Sequence, residues 1–436
     1  MDPIIAASVA VALIFILLAL GTPVFATLAL SGAVGIVMVE NLPFLLNRLK
    51  SFSYSSTATS TLTVIPLFVL MGAFAHHARI GRRLFEVANK WVGHMPGGLA
   101  MAGILTSAGF AATSGSSVAT AATVGSVALP EMRKAGYDPA LAAGSVAAGG
   151  VLGVLIPPSV LLIFYAALTE TSAGKMLVAG FIPGILTTIV FMIGIRIIAG
   201  RIMPHTGLAP RSGWGERLTA TTRAWQVVVL FIVVLGGIYL GLMTPTEAAA
   251  IGAVAALMML MAELRSGVMP AIVESFRSTI TTTVMILFTM IGAGIFSYFL
   301  TLIQIPQQIA SVISNSGIPP HAIVLLLLLA YIPLGMFLDA FSMMVITLPI
   351  MFPTVQQLGF DPIWFGILCV KMCEIGLMTP PVGLNCFVIA GIDRQTPLTQ
   401  VFRGATWFVV MELFTVAVLF AFPQITTWLP DMMLGG

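Results

Sequence analysis

Of the 436 residues, 58% are apolar and only 8% are charged. A soluble domain needs far more polar groups to cover its surface, so lipid is the solvent for most of this chain. The formal net charge of +3 comes from bases scattered along the sequence, with no basic cluster of the kind a nucleic-acid binder needs.

The first apolar run, Ile4 to Leu20, reads as a membrane span. It lacks a basic leader, carries Asp2, and has no small-residue cleavage site before polar sequence, which removes a signal peptide. Similar runs at Met176 to Ala199, Val227 to Leu242 and Ala405 to Phe422 approach the roughly 20 residues that a bilayer core demands. No ten-residue alternation of a barrel strand is present, so helices are the spanning element and the fold class is an all-α polytopic membrane protein. Cys369, Cys373 and Cys386 sit in apolar stretches without a histidine partner, and read as small buried hydrophobes.

A span from Thr57 to Ala78 is followed by Arg79, Arg82, Arg83 and Lys90. The next segment, about 97–134, is apolar to Phe110, breaks at Ala111 to Ser117, and resumes from Val118 to Leu129, the pattern of a re-entrant hairpin. Small hydroxyl residues and glycine allow a turn at membrane depth only where the freed backbone lines protein or water. A broken span follows at about 138–168, interrupted by Ile156-Pro157-Pro158-Ser159, because two prolines remove two donors and free carbonyls of the preceding turn.

The pattern then recurs. Leu129-Pro130, Gly136-Tyr137-Asp138-Pro139, Gly153, Pro157-Pro158 and Phe164 reappear as Leu348-Pro349, Gly359-Phe360-Asp361-Pro362, Gly376, Pro380-Pro381 and Phe387, with Asp138 to Phe164 at a constant offset of 223. Residues 1–223 and 224–436 are therefore two repeats of the kind that build secondary transporters. The second contains a hairpin at about 321–355 and a broken span at about 361–391. Alternating crossings place Arg133, Lys134, Arg196, Arg201, Arg211, Arg217, Arg223, Arg265, Arg277, Arg394 and Arg403 on the same side as the bases after Ala78, leaving Arg48, Lys50 and Lys175 opposite. Fifteen of nineteen Lys and Arg are then cytoplasmic, and the repeats are inverted. Gln304, Gln307, Gln308, Gln356 and Gln357 mark the outer side of the second hairpin.

Asp339 lies among Met336, Phe337, Leu338 and Phe341, and an acid in such surroundings is expected to have a functional role. Lys371 and Glu374, three residues apart in a span, read as a mutual ion pair or a snorkelling group. Glu247 and Glu412 are lone acids, and His76, His77 and His94 lie at the cytoplasmic border with no special role. No Gly-x-Ser-x-Gly elbow with a placed histidine and no paired intramembrane aspartates support a hydrolase, so no enzyme is expected. A passive channel fits two closed, repeated hairpin sites less well than alternating access does.

The run Ser114-Gly115-Ser116-Ser117 leading to Leu129-Pro130, the Ile156 to Ser159 break, the Gly335 to Asp339 tip with Leu348-Pro349, and Ile375-Gly376 followed by Thr379-Pro380-Pro381-Val382-Gly383-Leu384-Asn385 together carry a family likeness. Over nearly its whole length the chain resembles the large membrane subunit of tripartite ATP-independent periplasmic (TRAP) transporters. The resemblance implies a Na⁺-driven elevator-type importer in the bacterial inner membrane, for organic acids such as C4-dicarboxylates, sugar acids or sialic acids. It also implies two partners, a small four-helix membrane subunit and a periplasmic solute-binding protein, and no cofactor beyond Na⁺ as coupling ion. The alternative is a self-sufficient divalent-anion/Na⁺ symporter that needs no binding protein. Met372 stands where relatives are expected to carry Asn. The end at Gly436 without further helices implies a small subunit on a separate polypeptide. The expected first cation site comprises Ser114, Gly115, Ser116, Ser117, Gly153, Pro157 and Ser159. The second comprises Gly335, Asp339, Ser342, Gly376, Thr379, Pro380 and Gly383, and substrate contacts fall to Ser116, Ser117, Asp339, Thr379 and Asn385.

Overall fold

The structure, a computed structural model, describes residues 3–57, 60–203, 211–264, 266–305, 308 and 317–434; Asp2, Arg265 and Gln307, used in the topology argument above, lie outside them. The described residues are predominantly helical. The first half runs α1 (Pro3–Ala19), α2 (Val24–Val39), α3 (Leu42–Thr57), α4 (Val64–His77), α5 (Ile80–Val92), α6 (Gly98–Ser114), α7 (Ser117–Lys134), α8 (Pro139–Leu155), α9 (Val160–Thr169), α10 (Ala173–Ala179) and α11 (Phe181–Ile202). After α12 (Trp214–Arg223) and α13 (Trp225–Phe231), a π-helical stretch Ile232–Gly236 leads into the single turn α14 (Gly237–Tyr239). The second half continues with α15 (Pro245–Glu263), α16 (Val268–Leu302), α17 (Pro320–Leu329), α18 (Tyr331–Gly335), α19 (Ala340–Gln357), α20 (Pro362–Met378), α21 (Leu384–Ile392), α22 (Leu398–Ala421) and α23 (Gln424–Leu434). Five of these stretches are long and apolar enough to cross a membrane, and three bent helix pairs, α8 with α9 among them, meet the same standard when each pair is taken as one span.

Helix ends follow local chemistry. Asp138 accepts from Leu141 N at 2.9 Å, and Asp361 accepts from Ile363 N and Trp364 N at 2.8 and 2.9 Å, each just before a proline at the first helical position. Proline there has no N–H to lose, and the carboxylate satisfies orphan donors of the first turn. Thr244, Pro245 and Glu247 complete a capping box at the start of α15, which gives the lone acid Glu247 a structural task. The offset of 223 carries α7 onto α19 and α8 onto α20 end to end, and the Pro157-Pro158 and Pro380-Pro381 bonds are both cis.

Two buried clusters form the interior. One joins α1, α2, α4, α15 and α16 to α9, α19 and α20; the other gathers α5 to α8 with α11 and α22. Where helices approach closely, glycine permits it. A Cβ on Gly32 of α2 would stand 2.7 Å from the Phe296 backbone of α16, and one on Gly144 of α8 would stand 2.3 Å from Gly404 of α22. Small residues at such crossings give the backbone contact that membrane helices use for association.

Candidate functional site

The two hairpin tips meet at one cavity of about 590 Å³. Ser114 to Ser117 line one side, Asp339 to Phe341 another, and Glu374 and Leu377 of α20 sit between them. The opposite wall is helical, made by Gly72, His76 and His77 of α4 and by Glu274, Ser275, Ser278 and Thr282 of α16. A second cavity of about 710 Å³ shares His76, His77 and Thr123 with the first and adds Arg79 and Arg82, so the central cavity leads toward the face where these bases lie.

The first tip is tighter than the sequence suggests. Unwinding was expected from Ala111, whereas α6 holds to Ser114 and only Gly115 and Ser116 separate it from α7. The run Ala111 to Ser114 is buried, with Gly72 of α4 packed against Ser114, and helical hydrogen bonds satisfy its backbone. Gly115 has φ of 61°, and a Cβ there would stand 2.8 Å from Pro158 O. Both features require glycine. Val160 N donates to Gly115 O at 3.2 Å, and Ser159 caps α9 by accepting from Leu162 N at 3.2 Å. Ser116 caps α7 by accepting from Ala119 N at 3.4 Å, and the Ser114 and Thr120 hydroxyls lie 2.7 Å apart. A Cβ on Gly153 would stand 2.5 Å from both Ser116 O and Thr120 Oγ1. Thus the tip and the buried Pro157 break form one packed unit, rich in small oxygens.

Asp339 occupies the register position of Ser116 in the second half. Its carboxylate accepts from Phe341 N at 3.0 Å, from Ser342 N at 3.1 Å and from the Ser342 hydroxyl, so three donors and the N-terminus of α19 offset its desolvation. Gly335 and Gly376 pack backbone to backbone: a Cβ on Gly335 would stand 2.5 Å from Gly376 Cα. Thr379 turns its hydroxyl back to Ile375 O at 2.7 Å, and its N–H donates to Gly376 O at 3.0 Å. Pro380 is exposed and Gly383 has φ of 54°. Thr379, Pro380 and Gly383 are not among the residues lining the cavity, and fully buried Asn385 reaches it only through Glu374, with Nδ2 3.4 Å from Oε2.

One sequence expectation is corrected. Lys371 does not pair with Glu374 and does not snorkel; its Nζ lies 2.5 Å from Glu412 Oε2 on α22 and donates to Thr187 Oγ1 of α11 at 2.8 Å, with both charged side chains fully buried. The two neighbours on α20 point apart, Lys371 into the packing with α11 and α22 and Glu374 into the cavity. An ammonium removed from water takes the nearest carboxylate whatever its place in sequence. Sequence reasoning also set aside His76, whose Nδ1 lies 2.7 Å from Thr123 Oγ1 and so links α4 to α7. It missed Glu274, Ser275, Ser278 and Thr282. Their three- to four-residue spacing, which puts them on one face of α16, was the available signal.

Paired hairpins, paired Pro-Pro breaks and the cavity faced by both tips are the architecture of a polytopic membrane transporter. The chain belongs to the family described as the tripartite ATP-independent periplasmic transporter, DctM component, whose model matches residues 11–425. It is 38% identical over 93% of its length to the C4-dicarboxylate TRAP transporter large permease protein DctM of Pseudomonas aeruginosa, covering 94% of that protein. The sialic acid TRAP transporter large permease protein SiaM of Vibrio cholerae is 31% identical, with 86% of this chain and 87% of that one aligned. Among solved structures, the Alcanivorax borkumensis YdaH transporter aligns over 91% of both chains with a TM-score of 0.64 at 16% identity, which is a likeness of fold. The relatives are transporter permease subunits, not enzymes.

Proposed function

We propose that this chain imports a small organic anion of the C4-dicarboxylate, sugar-acid or sialic-acid class across the bacterial inner membrane, coupled to Na⁺. The observation that carries the reading is the single cavity where both hairpin tips face a helical wall. Hydroxyls and backbone oxygens around Ser114 to Ser117 and Gly153 to Ser159 suit a hard monovalent cation, and the Gly335 to Ser342 tip with Gly376, Thr379, Pro380 and Gly383 is the proposed second site. Ser116, Ser117 and Asp339 would face the substrate directly. Thr379 and Asn385, the remaining expected contacts, would act from behind them. No Lys or Arg is among the described lining residues, so the anion would be held by hydroxyls and the N-terminus of α7 with cations alongside.

In this reading α4 and α16 belong to a fixed wall, and the unit of α6 to α9 with α19 to α21 moves past it as an elevator. The present conformation faces inward, because the cavity leads toward Arg79 and Arg82 and the base asymmetry assigns that face to the cytoplasm. A small four-helix membrane subunit and a periplasmic solute-binding protein complete the transporter; the names of the relatives support the partners and the substrate classes. The test is uptake of a panel of organic acids into proteoliposomes containing both membrane subunits, with and without an inward Na⁺ gradient and the binding protein. Uptake of one acid that needs both is the expected result. Na⁺-driven uptake without a binding protein would favour a self-sufficient symporter.

A further inference from the structure

The cavity presents an electrostatic problem for an anion carrier. Its described lining includes the carboxylates of Asp339, Glu374 and Glu274, with two histidines as the only bases. Asp339 has three donors, and Glu274 is exposed. Glu374 has less of either relief. It is 1% exposed, its Oε2 receives the Asn385 amide at 3.4 Å with the Ser117 side chain also beside the carboxylate, and its Oε1 has no hydrogen-bond donor. Lys371, the nearest base in sequence, is committed to Glu412. Asn385 is 0% exposed, and its Oδ1 also lacks a donor.

These orphaned oxygens share one small region. A Cβ built on Gly150 of α8 would stand 2.9 Å from Ser117 O and 3.6 Å from Asn385 Nδ2, so the Ser117 backbone, the Asn385 amide and the Gly150 backbone crowd together beside Glu374. Ser117 flanks the Glu374 carboxylate from the first hairpin, while Asn385 and Glu374 come from the second half. Buried acceptors in excess of donors are costly unless a proton or a metal cation supplies the missing positive charge, and in a Na⁺-coupled carrier Na⁺ is the ion at hand. Oxygen-only ligands of mixed carboxylate, amide and carbonyl type favour a hard ion over a transition metal.

We infer that Glu374, Asn385 and Ser117 form a third monovalent-cation site, adjoining the first of the two proposed at the hairpin tips through Ser117, that takes Na⁺ and neutralises the cavity before the anion enters. Gly150 permits this close approach, because a Cβ there would stand 2.9 Å from Ser117 O. The inference rests on the Na⁺-coupled reading proposed above. Binding at the junction of the halves also ties the tip of one hairpin to the broken helix of the other.

The test is the Na⁺ to substrate stoichiometry, read from reversal potentials in proteoliposomes carrying the complete transporter, for wild type and Glu374→Gln. The variant keeps shape and loses the charge. It is expected to couple one Na⁺ fewer, with apparent Na⁺ affinity reduced about tenfold, the effect of losing one charged ligand worth about 1.4 kcal/mol. Wild-type stoichiometry and an unchanged Na⁺ curve in Glu374→Gln would overturn the third site while leaving Na⁺ coupling intact. A wild type with no Na⁺ dependence would overturn both readings. Should Glu374→Gln fail to insert, Asn385→Ser carries the test: a several-fold higher Na⁺ requirement is expected with the carboxylate in place, and a wild-type Na⁺ curve would contradict the site.

Discussion

Asp339 and Ser116 stand at matching positions of the two repeats and perform the same local task, accepting hydrogen bonds at the start of the second arm of a hairpin. Only one carries a charge. Asn caps helices about as well as Asp, so Asp339→Asn should leave insertion and melting temperature near wild type while Na⁺-driven uptake is largely lost; uptake per inserted protein at the wild-type level would remove Asp339 from the mechanism. Gly115 should be less tolerant. Ala adds a Cβ against Pro158 O at an unfavourable φ, and Leu adds a branched side chain, so uptake should fall in the order Gly, Ala, Leu, and Gly115→Leu at wild-type rate would place the site elsewhere. Lys371→Met would leave Glu412 buried without its partner and should cost about 3–5 kcal/mol of stability, seen as a lower melting temperature in detergent. Adding Glu412→Gln should recover most of that loss; a double variant as unstable as the single one would argue against the pair. At this scale Asp339 could be read from sequence, because an acid in an apolar run has few cheap explanations. The partner of Lys371 could not, since pairing between helices depends on which faces meet.

Among the elements, the Gly-rich and Pro-Pro breaks were legible because backbone chemistry is local, and the capped starts of α8 and α20 were marked by Asp-Pro in the sequence. What surrounds the breaks was not. The wall of α4 and α16 lies far from the hairpins in sequence, and its glycines, hydroxyls and histidines acquire meaning only from what they face. The His76 contact with Thr123 offers a handle on this wall. In a background lacking the three native cysteines, His76→Cys with Thr123→Cys joined by a short bifunctional reagent should stop transport, and cleavage of the link should restore it, because α4 and α7 are assigned to parts that move past each other. Undiminished transport in the linked protein would show that they do not. The inverted arrangement has its own check. Lys134→Cys and Gln356→Cys, both at exposed positions, should react with an impermeant reagent from opposite faces, and reaction from one face would refute inversion.

For the molecule as a whole, the base asymmetry, the repeat and the cavity support the proposed carrier, whose site would face inward in this conformation. The repeat could be read because glycine and proline kept one register from Gly136 to Phe164 and from Gly359 to Phe387, and the helix ends of α7 and α19 and of α8 and α20 coincide under the same offset. The direction in which the cavity opens could not be read, since it is a property of how the two sets of helices are displaced and several displacements satisfy the same sequence. Alternating access is the central claim, and a single cysteine at Ala119, an exposed position on the cavity wall, tests it most directly. In oriented membranes containing the complete transporter, an impermeant thiol reagent should label Ala119→Cys from the cytoplasmic side without Na⁺ or substrate, and from the periplasmic side when outside Na⁺, binding protein and a transported acid drive turnover. Labelling from the cytoplasmic side alone under every condition would contradict the account.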